Sequence, residues 1–278
     1  MKSLESNEIP KVSFIMGVYC CENIDGVLGS VESIILQTYK DWEFLIVDDG
    51  SPDNGRTFSI LKAVADLDNR IIPLRYEKNR GLAYALNYCL RYAKGNYIAR
   101  QDDDDYSDVL RLETQIDFLE KNPDIDIVGT QAILFDDKGD WGYLDVEERP
   151  TNRSFLWNSP FIHPSTVMRT DSLRAVGGYR VAKETRRGQD YDLFMRMYAA
   201  GMQGANITKP LYRYRSNRTT SKYKSIDKRF NEAQVRLKNF KALGIGPIRY
   251  LYIAKPIILS LIPKKIYGQI QKRRTKLS

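Results

Sequence analysis

Four consecutive aspartates, Asp102 to Asp105, directly follow the apolar run of residues 96–100. Neighbouring carboxylates repel one another, so such a run is costly to hold together unless a positive charge lies between its members. Divalent Mg²⁺ and Mn²⁺ prefer oxygen ligands and are commonly held by one or two carboxylates together with substrate phosphates. The run therefore predicts a divalent-cation site, and a solvated acidic loop is the alternative that its composition also allows.

Two other groups of side chains suited to ligand binding also lie where apolar runs end. Val18, Tyr19 and Glu22 come at the end of the first run, where an aromatic ring beside backbone amides can stack on a flat heterocycle. Asp49 ends the second run, and a carboxylate there can accept hydrogen bonds from the N–H of a base or the O–H of a ribose. Each group also has a plainer interpretation, because a lone tyrosine commonly packs and Asp-Asp-Gly-Ser is an ordinary turn sequence.

Short apolar runs alternate with stretches of helical spacing through the first third of the chain. The predicted strands are residues 12–19, 43–49, 70–77 and 96–100, and the predicted helices between them are 25–37, 56–67 and 81–95. This order predicts an α/β fold with a mostly parallel sheet and helices on both faces, as in Rossmann-like domains. Ligands of such sheets bind outside the carboxyl ends of the strands, which brings the three groups to one edge. A base pocket, a ribose carboxylate and metal-binding carboxylates on one edge describe a site for a nucleotide diphosphate.

The remainder of the chain is less regular. We expect a helix over 108–121, strands around a turn within 124–144, a strand at 163–170, a helix over 189–201 and a helix over about 225–242. Pro247, Pro256 and Pro263 are expected to break the last part of the chain into short pieces.

The composition excludes several classes of protein. With 278 residues, 42% of them hydrophobic and 28% charged, the chain suits one large soluble domain or one domain with an appendage. No opening segment resembles a secretory signal, and no apolar run approaches the length of a membrane-spanning helix. The three cysteines, Cys20, Cys21 and Cys89, form neither a disulfide framework nor a zinc pattern, so we expect a reducing, cytoplasmic setting.

The charge is divided unevenly along the chain. Residues 217–278 contain 16 Lys and Arg against 2 Asp and Glu, a net charge of +14, while residues 1–216 carry 27 against 33, a net charge of −6. A basic tail on an acidic body commonly meets an anionic partner, either nucleic acid or anionic lipid. Because aromatic and apolar residues alternate with Lys and Arg there, the segment suits the membrane interface. The alternative is a helix that packs on the body and turns its cations to water.

Several familiar motifs are missing. No Gly-x-Gly-x-x-Gly follows the first predicted strand, which argues against a dinucleotide oxidoreductase, and no Gly-Lys-Ser/Thr loop is present for a P-loop nucleotidase. His163 is the only histidine, so a multi-histidine metal site is excluded and a Ser-His-Asp triad has little support.

Several linked motifs follow one another along the chain: VSFIMGVYCCE, SVESIILQTYKDWEFLIVDDGSPDNG, NRGLAYALNYCLRYAKGNYIARQDDDD and the pair GGYR and GQDYDLFMRM. Together and in this order, they resemble family-2 glycosyltransferases of the GT-A fold. The resemblance covers residues 11–215, and the tail is similar to the family only loosely. It implies a GT-A catalytic domain over residues 1–216, followed by a basic helical tail over 217–278 that suits a membrane surface.

The resemblance also implies roles for the residues at the strand ends. Val18, Tyr19 and Glu22 match the segment that lines the nucleoside pocket of the family, and Asp49 matches the residue that contacts the base. The Asp-x-Asp motif of the family falls within QDDDD, where Asp103 takes a slot commonly filled by a small residue and is assigned to the nucleotide site.

By the same resemblance, Asp102 and Asp104 are the expected ligands of a bound Mn²⁺ or Mg²⁺. The catalytic base of the family is the Asp of a Glu-Asp pair, which here reads Gln189-Asp190, so Asp190 keeps the position while its neighbour differs. His163 lies where some relatives supply a third metal ligand, and a packed or hydrogen-bonded structural histidine is the alternative. The segment 211–224 is expected to be either a mobile loop over a phosphate or a solvated basic linker.

The implied reaction is inverting transfer of one sugar, of the hexosyl or N-acetylhexosaminyl type, from a nucleotide sugar to a hydroxyl of a glycan or lipid-linked glycan. A UDP-sugar is the expected donor, bacterial polysaccharide assembly the expected setting, and the inner face of the cell membrane the expected place. The Gln-x-x-Arg-Trp motif of processive synthases is missing, which favours single addition. Two alternatives stay open, a sugar nucleotidyltransferase and a non-catalytic module that binds through its basic tail. The absence of a recognisable nucleic-acid motif weighs against nucleic acid as the partner.

Overall fold

The computed structural model of the protein describes residues 11–217 and 226–260. Within them, nine strands form one sheet: β1 Val12–Val18, β2 Trp42–Asp48, β3 Ile71–Arg75, β4 Tyr97–Arg100, β5 Tyr106–Ser107, β6 Ile127–Asp136, β7 Gly139–Leu144, β8 Val167–Arg169 and β9 Gly204–Arg215. The helices are α1 Ile24–Ile35, α2 Arg56–Ala65, α3 Leu82–Tyr92, α4 Arg111–Lys121, α5 Thr170–Ala175, α6 Gln189–Ala199, α7 Ile226–Phe240 and α8 Arg249–Ser260. The strand order is β3-β2-β1-β4-β8-β6-β9-β5, and β7 pairs with β6.

One half of the sheet is parallel. β1 lies between β2 and β4, with Val18 opposite Asp48 and Ile15 opposite Arg100, and β3 continues the ladder beyond β2. β2 is buried along its whole length, as expected for a parallel strand covered by helices on both faces. The carboxyl ends of these strands therefore lie side by side, and the predicted α/β fold is confirmed.

The other half of the sheet is mixed. β8 joins it antiparallel to both β4 and β6, whereas β6 and β9 run parallel to each other. β9 was not predicted, and its residues 211–215, expected in a mobile loop or solvated linker, pair with β6 and β5. Tyr212 is completely buried, so this part of the segment belongs to the body. Residues 218–224 of the same segment lie outside the described residues.

Two hydrophobic cores lie on opposite faces of the sheet because side chains alternate along each strand. On β1, Ile15 points into one core and Phe14 into the other. The first core is completed by α3, α5, α6 and α7, and the second by α1, α2 and α4. Each large side chain buried in this way stabilises the fold by about 1.5–3 kcal/mol. The sheet is thus held from both sides, and its carboxyl edge stays open.

The first helix of the predicted tail packs on the body. Val235 and Phe240 of α7 belong to the first core, and Asn239 donates a hydrogen bond to Asp192 of α6 at 2.9 Å. The second tail helix, α8, contains Pro256 in its interior, so the prediction that this proline breaks the segment is wrong. Pro247 precedes α8, and Pro263 lies outside the described residues. No helix in the described ranges is long and apolar enough to cross a bilayer.

Candidate active site

The loop that carries the four aspartates is fixed by hydrogen bonds to its backbone. Ser30 of α1 donates to the carbonyl of Asp102 at 2.8 Å, and the amide of Gln101 donates to the carbonyl of Asp105 at 3.0 Å. Arg111 of α4 is completely buried and donates to the carbonyl of Arg100 at 2.8 Å. The loop is therefore pre-organised by the body and differs from a freely solvated acidic segment.

The aspartates at the two ends of the run have different partners. Asp102 forms an ion pair with Arg100, whose completely buried side chain also donates to the carbonyl of Ile15 at 2.7 Å. Asp105 is buried, and it accepts a hydrogen bond from the backbone N–H of Arg215 at 2.6 Å. Asp105 thus fastens β9 to the loop, a structural role that the sequence did not indicate.

The pKa of Asp103 indicates that the aspartate loop suits a cation. Burial, together with the charges of Asp104 and Asp102, raises the pKa of Asp103 to about 7. The carboxylate cluster thus holds more negative charge than its surroundings stabilise, and a divalent cation would supply the compensating charge. Within residues 11–217 and 226–260, no three acidic, histidine or cysteine side chains converge tightly enough to hold a metal by themselves. The donor set fits a cation whose coordination is completed by substrate phosphates.

The predicted nucleoside segment lies beside the end of β2. The backbone N–H of Asp49 donates to the carbonyl of Val18 at 2.8 Å, and Ser51 accepts from the backbone N–H of Cys20 at 2.9 Å. The ring of Tyr19 is 49% exposed, which leaves a face open to a ligand. Glu22 is also exposed. The fold therefore brings the segment that contains Val18, Tyr19 and Glu22 next to Asp49.

Asp49 is already engaged by the chain. Its carboxylate accepts hydrogen bonds from the hydroxyl of Tyr76 at 2.5 Å, the amide of Asn79 at 2.9 Å and the backbone N–H of Arg80 at 2.9 Å. Burial and this bond to Asp49 raise the pKa of Tyr76, so the phenol stays a donor. Asp49 thus holds the loop after β3 against the strand ends. Its predicted contact with the base would be made in addition to these hydrogen bonds.

A cleft of about 540 Å³ joins the aspartate loop to the predicted catalytic base. Asp102, His163, Gln189 and Asp190 all line it. Asp190 lies in the first turn of α6, where the positive end of the helix dipole favours a carboxylate. Two carboxylates distant in sequence therefore face one cavity of the size that binds a small molecule.

His163 is a buried, hydrogen-bonded residue of the cleft wall. Its Nε2 lies 2.8 Å from the hydroxyl of Tyr179, and burial lowers the pKa of the imidazole well below its usual value, with a smaller contribution from Arg100. The ring is therefore neutral at physiological pH. Metal binding through Nε2 would require the hydrogen bond to Tyr179 to break. The observed contacts are therefore those of a hydrogen-bonded structural histidine, the alternative to a third metal ligand.

A further carboxylate holds the predicted base in place. Asp192 is completely buried two residues after Asp190, and it accepts from Arg196 at 2.8 Å and lies 3.3 Å from Arg180. With the bond from Asn239 of α7, these contacts fix the first turn of α6. Sequence reasoning missed this residue, although its spacing of four from Arg196 was a usable signal.

Comparison with known proteins identifies the family of the chain. The sequence profile described as "Glycosyl transferase family 2" matches residues 13–177, more than half of the chain. The chain belongs to glycosyl transferase family 2. It is 37% identical to the "Putative glycosyltransferase EpsE" of Bacillus subtilis (strain 168), over 96% of this chain and 95% of that protein.

Two other proteins extend the comparison of this family-2 glycosyltransferase. An Escherichia coli "UDP-Gal:alpha-D-GlcNAc-diphosphoundecaprenol beta-1,3-galactosyltransferase" is 28% identical, over 96% of this chain and 98% of that protein. The crystal structure of TarS 1–349 of S. aureus in complex with UDP-GlcNAc superposes with a TM-score of 0.64 at 19% identity, covering 95% of this chain and 71% of that one. The structural similarity to TarS confirms the GT-A fold.

Proposed function

We propose that this glycosyltransferase is an inverting, metal-dependent enzyme that adds one sugar from a nucleotide sugar to an acceptor hydroxyl. The observation that carries the proposal is the single cleft lined by both Asp102 and Asp190. Asp102 suits the cation and diphosphate of a donor, and Asp190 suits a base for the acceptor. Their shared cavity supports a reaction in which one sugar contacts both.

Asp102 and Asp104 would hold the metal, with Asp103 beside them at the nucleotide. A divalent cation held there would supply positive charge against the negative charge of the departing nucleoside diphosphate. Arg100 holds the carboxylate of Asp102 in place through their ion pair, so this ligand is oriented before the donor binds. The exposed ring of Tyr19 stacks on the base, and Val18 and Asp49 close the nucleoside pocket with Glu22 at its rim.

Asp190 accepts the proton of the acceptor hydroxyl as that oxygen attacks the anomeric carbon. The attack comes from the face opposite the nucleotide, so the configuration at that carbon inverts. A positioned base of this kind contributes about 10²- to 10⁴-fold to the rate. His163 stays neutral in the wall of the cleft, where its Nε2 is engaged by the Tyr179 hydroxyl.

The substrates are proposed from the relatives and from the sequence. The E. coli relative is named for a UDP-sugar donor and a diphosphoundecaprenol-linked acceptor, and the TarS structure holds UDP-GlcNAc. A UDP-linked hexose or N-acetylhexosamine is therefore the proposed donor, and a glycan or lipid-linked glycan of polysaccharide assembly the proposed acceptor. Single addition fits the missing Gln-x-x-Arg-Trp motif.

The tail is proposed to rest on an anionic membrane surface at the inner face of the cell membrane. Tyr250, Leu251, Ile257 and Ile258 of α8 are exposed, and their spacing of seven and eight residues places them along one side of the helix; we call them the apolar stripe. Residues 217–278 carry a net charge of +14, which would attract anionic lipid. An acceptor linked to lipid would then approach the cleft from the membrane.

The test is a panel of UDP-, GDP- and dTDP-sugars incubated with the full-length protein and Mn²⁺ or Mg²⁺. We expect metal-dependent release of a nucleoside diphosphate from a UDP-sugar, with inversion at the anomeric carbon measured by NMR of the product. Formation or consumption of pyrophosphate would instead identify a sugar nucleotidyltransferase. Release from none of the donors would refute the proposed function.

A further inference from the structure

A second cavity, of about 230 Å³, adjoins the cleft at Asp190. Asp190, Asn158 and Ser159 line both this cavity and the larger cleft, so the two share one wall. The remaining walls come from the loop 184–188 and from Asn231, Glu232 and Arg236 of α7. Asp102 lines only the larger cleft, which suits that cleft to the donor, while the smaller cavity offers an acceptor a second approach to Asp190.

The walls of the smaller cavity suit a neutral, hydroxyl-rich ligand. Asn158, Ser159 and Asn231 offer amide and hydroxyl groups that both donate and accept hydrogen bonds. Most charges at the cavity are paired within the chain, because Glu184 forms an ion pair with Lys238 and Glu232 forms one with Arg236. Arg187, exposed in the loop 184–188, is the remaining cation of the lining, so an anionic ligand would have one arginine outside these pairs to bind.

A buried cation of α7, Arg236, fixes part of the wall of this cavity. Arg236 is 1% exposed and donates to the carbonyls of Leu156 and Trp157 at 2.6 and 3.0 Å, which fixes the backbone next to Asn158. Its Nε–H finds no acceptor among the described residues. This nitrogen is enclosed by protein atoms, so the part that Arg236 plays at the cavity is to hold the adjoining backbone in place.

The size of the cavity limits what it can hold. A volume of about 230 Å³ lies below the roughly 300–1,000 Å³ of pockets for drug-sized ligands, and matches one ring better than an oligosaccharide. The matched family residues 13–177 end before both the loop 184–188 and α7, so these walls can differ between members without disturbing the donor side.

We infer that the smaller cavity is the acceptor subsite, that it takes a single neutral sugar residue, and that Asn231 and Glu232 of α7 help to select which one. The inference rests on the proposed glycosyl transfer. The sugar would present one hydroxyl to Asp190, and the rest of the acceptor would leave the cavity past the exposed Arg187. α7 is then part of the substrate site as well as a packing helix.

The test uses the donor that gives the fastest nucleoside diphosphate release, with octyl glycosides of glucose, galactose and N-acetylglucosamine in both anomeric forms as acceptors. Asn231→Ala should raise the KM of the best glycoside about 3- to 10-fold, the loss expected for one hydrogen bond. Asn231→Trp, which fills the cavity, should lower transfer at least about 100-fold. Both variants should bind UDP by calorimetry as the wild type does.

Lys241→Trp is the matched control, because Lys241 is exposed just after α7 and lies outside the cavity. The inference is overturned if Asn231→Trp transfers as fast as this control. It is also overturned if the wild type hydrolyses the donor but glycosylates none of the octyl glycosides, since a neutral sugar would then not be the ligand. Failure of the wild type to turn over any donor would instead refute the proposed function itself.

Discussion

Replacing Asp192 with asparagine should destabilise the protein and disturb the first turn of α6. The substitution keeps the shape of the side chain but removes a buried charge that faces both Arg196 and Arg180. Breaking a buried ion pair by removing one partner costs about 3–5 kcal/mol. Arg196 keeps its bonds to the carbonyls of Val176 and Gly178, at 2.5 and 2.6 Å, and Arg180 is 34% exposed, so we expect the lower end, about 3 kcal/mol.

A loss of this size corresponds to a fall in Tm of about 6–12 °C, which thermal unfolding followed by circular dichroism would measure. Asp171→Asn is the control, because Asp171 is exposed in the first turn of the neighbouring helix α5 and should cost about 0.5 kcal/mol. Nucleoside diphosphate release should also fall in Asp192→Asn, since Asp190 lies on the turn that Asp192 fixes. If the two variants unfold at the same temperature, the buried contacts of Asp192 do not hold α6 and the reasoning is refuted.

Three further predictions concern the metal, the loop after β2 and the tail. Asp104→Ala should abolish the gain in UDP affinity that Mn²⁺ gives, and calorimetry showing an unchanged gain would contradict its role as a ligand. Gly50→Ala should destabilise by about 2–5 kcal/mol, because φ is +62° and the new Cβ would lie 2.3 Å from the carbonyl carbon of Lys78. Gly177→Ala, at φ +75° with no atom within 4 Å, should cost only about 1–2 kcal/mol in urea unfolding, and equal losses would argue against the clash. Leu251→Ser combined with Ile258→Ser should reduce flotation with phosphatidylglycerol vesicles, whereas Leu36→Ser, exposed at the end of α1, should not.

The parallel half of the fold was predictable because its signals are local. Each strand from β1 to β4 is a short apolar run, and each predicted boundary lies within three residues of the observed one. The convergence of Val18, Asp49 and the aspartate loop followed from the rule that parallel strands end at one edge. These are properties of short segments and of chain direction, which a single sequence carries.

The parts that were missed depend on long-range contacts. β9 contains Lys209 and Pro210 between two apolar stretches, so its pattern did not indicate a strand, and it forms by pairing with β6 and β5. The structural role of Asp105 was hidden for the same reason, since its partner Arg215 comes from a distant segment. Asp192 also has a distant partner, Asn239, although its ion pair with Arg196 four residues on was a local signal. The sequence alone does not distinguish an aspartate that binds a ligand from one that joins two structural elements, because the difference lies in their distant contacts.

Asp190 is the proposed base, in the cleft that it shares with Asp102. Turnover of Asp190→Asn, measured as nucleoside diphosphate release with the best donor and acceptor, tests this most directly, with UDP affinity measured in parallel. We predict that turnover falls about 10²- to 10⁴-fold while UDP affinity is unchanged. Near-normal turnover in this variant would contradict the role of Asp190 as the base.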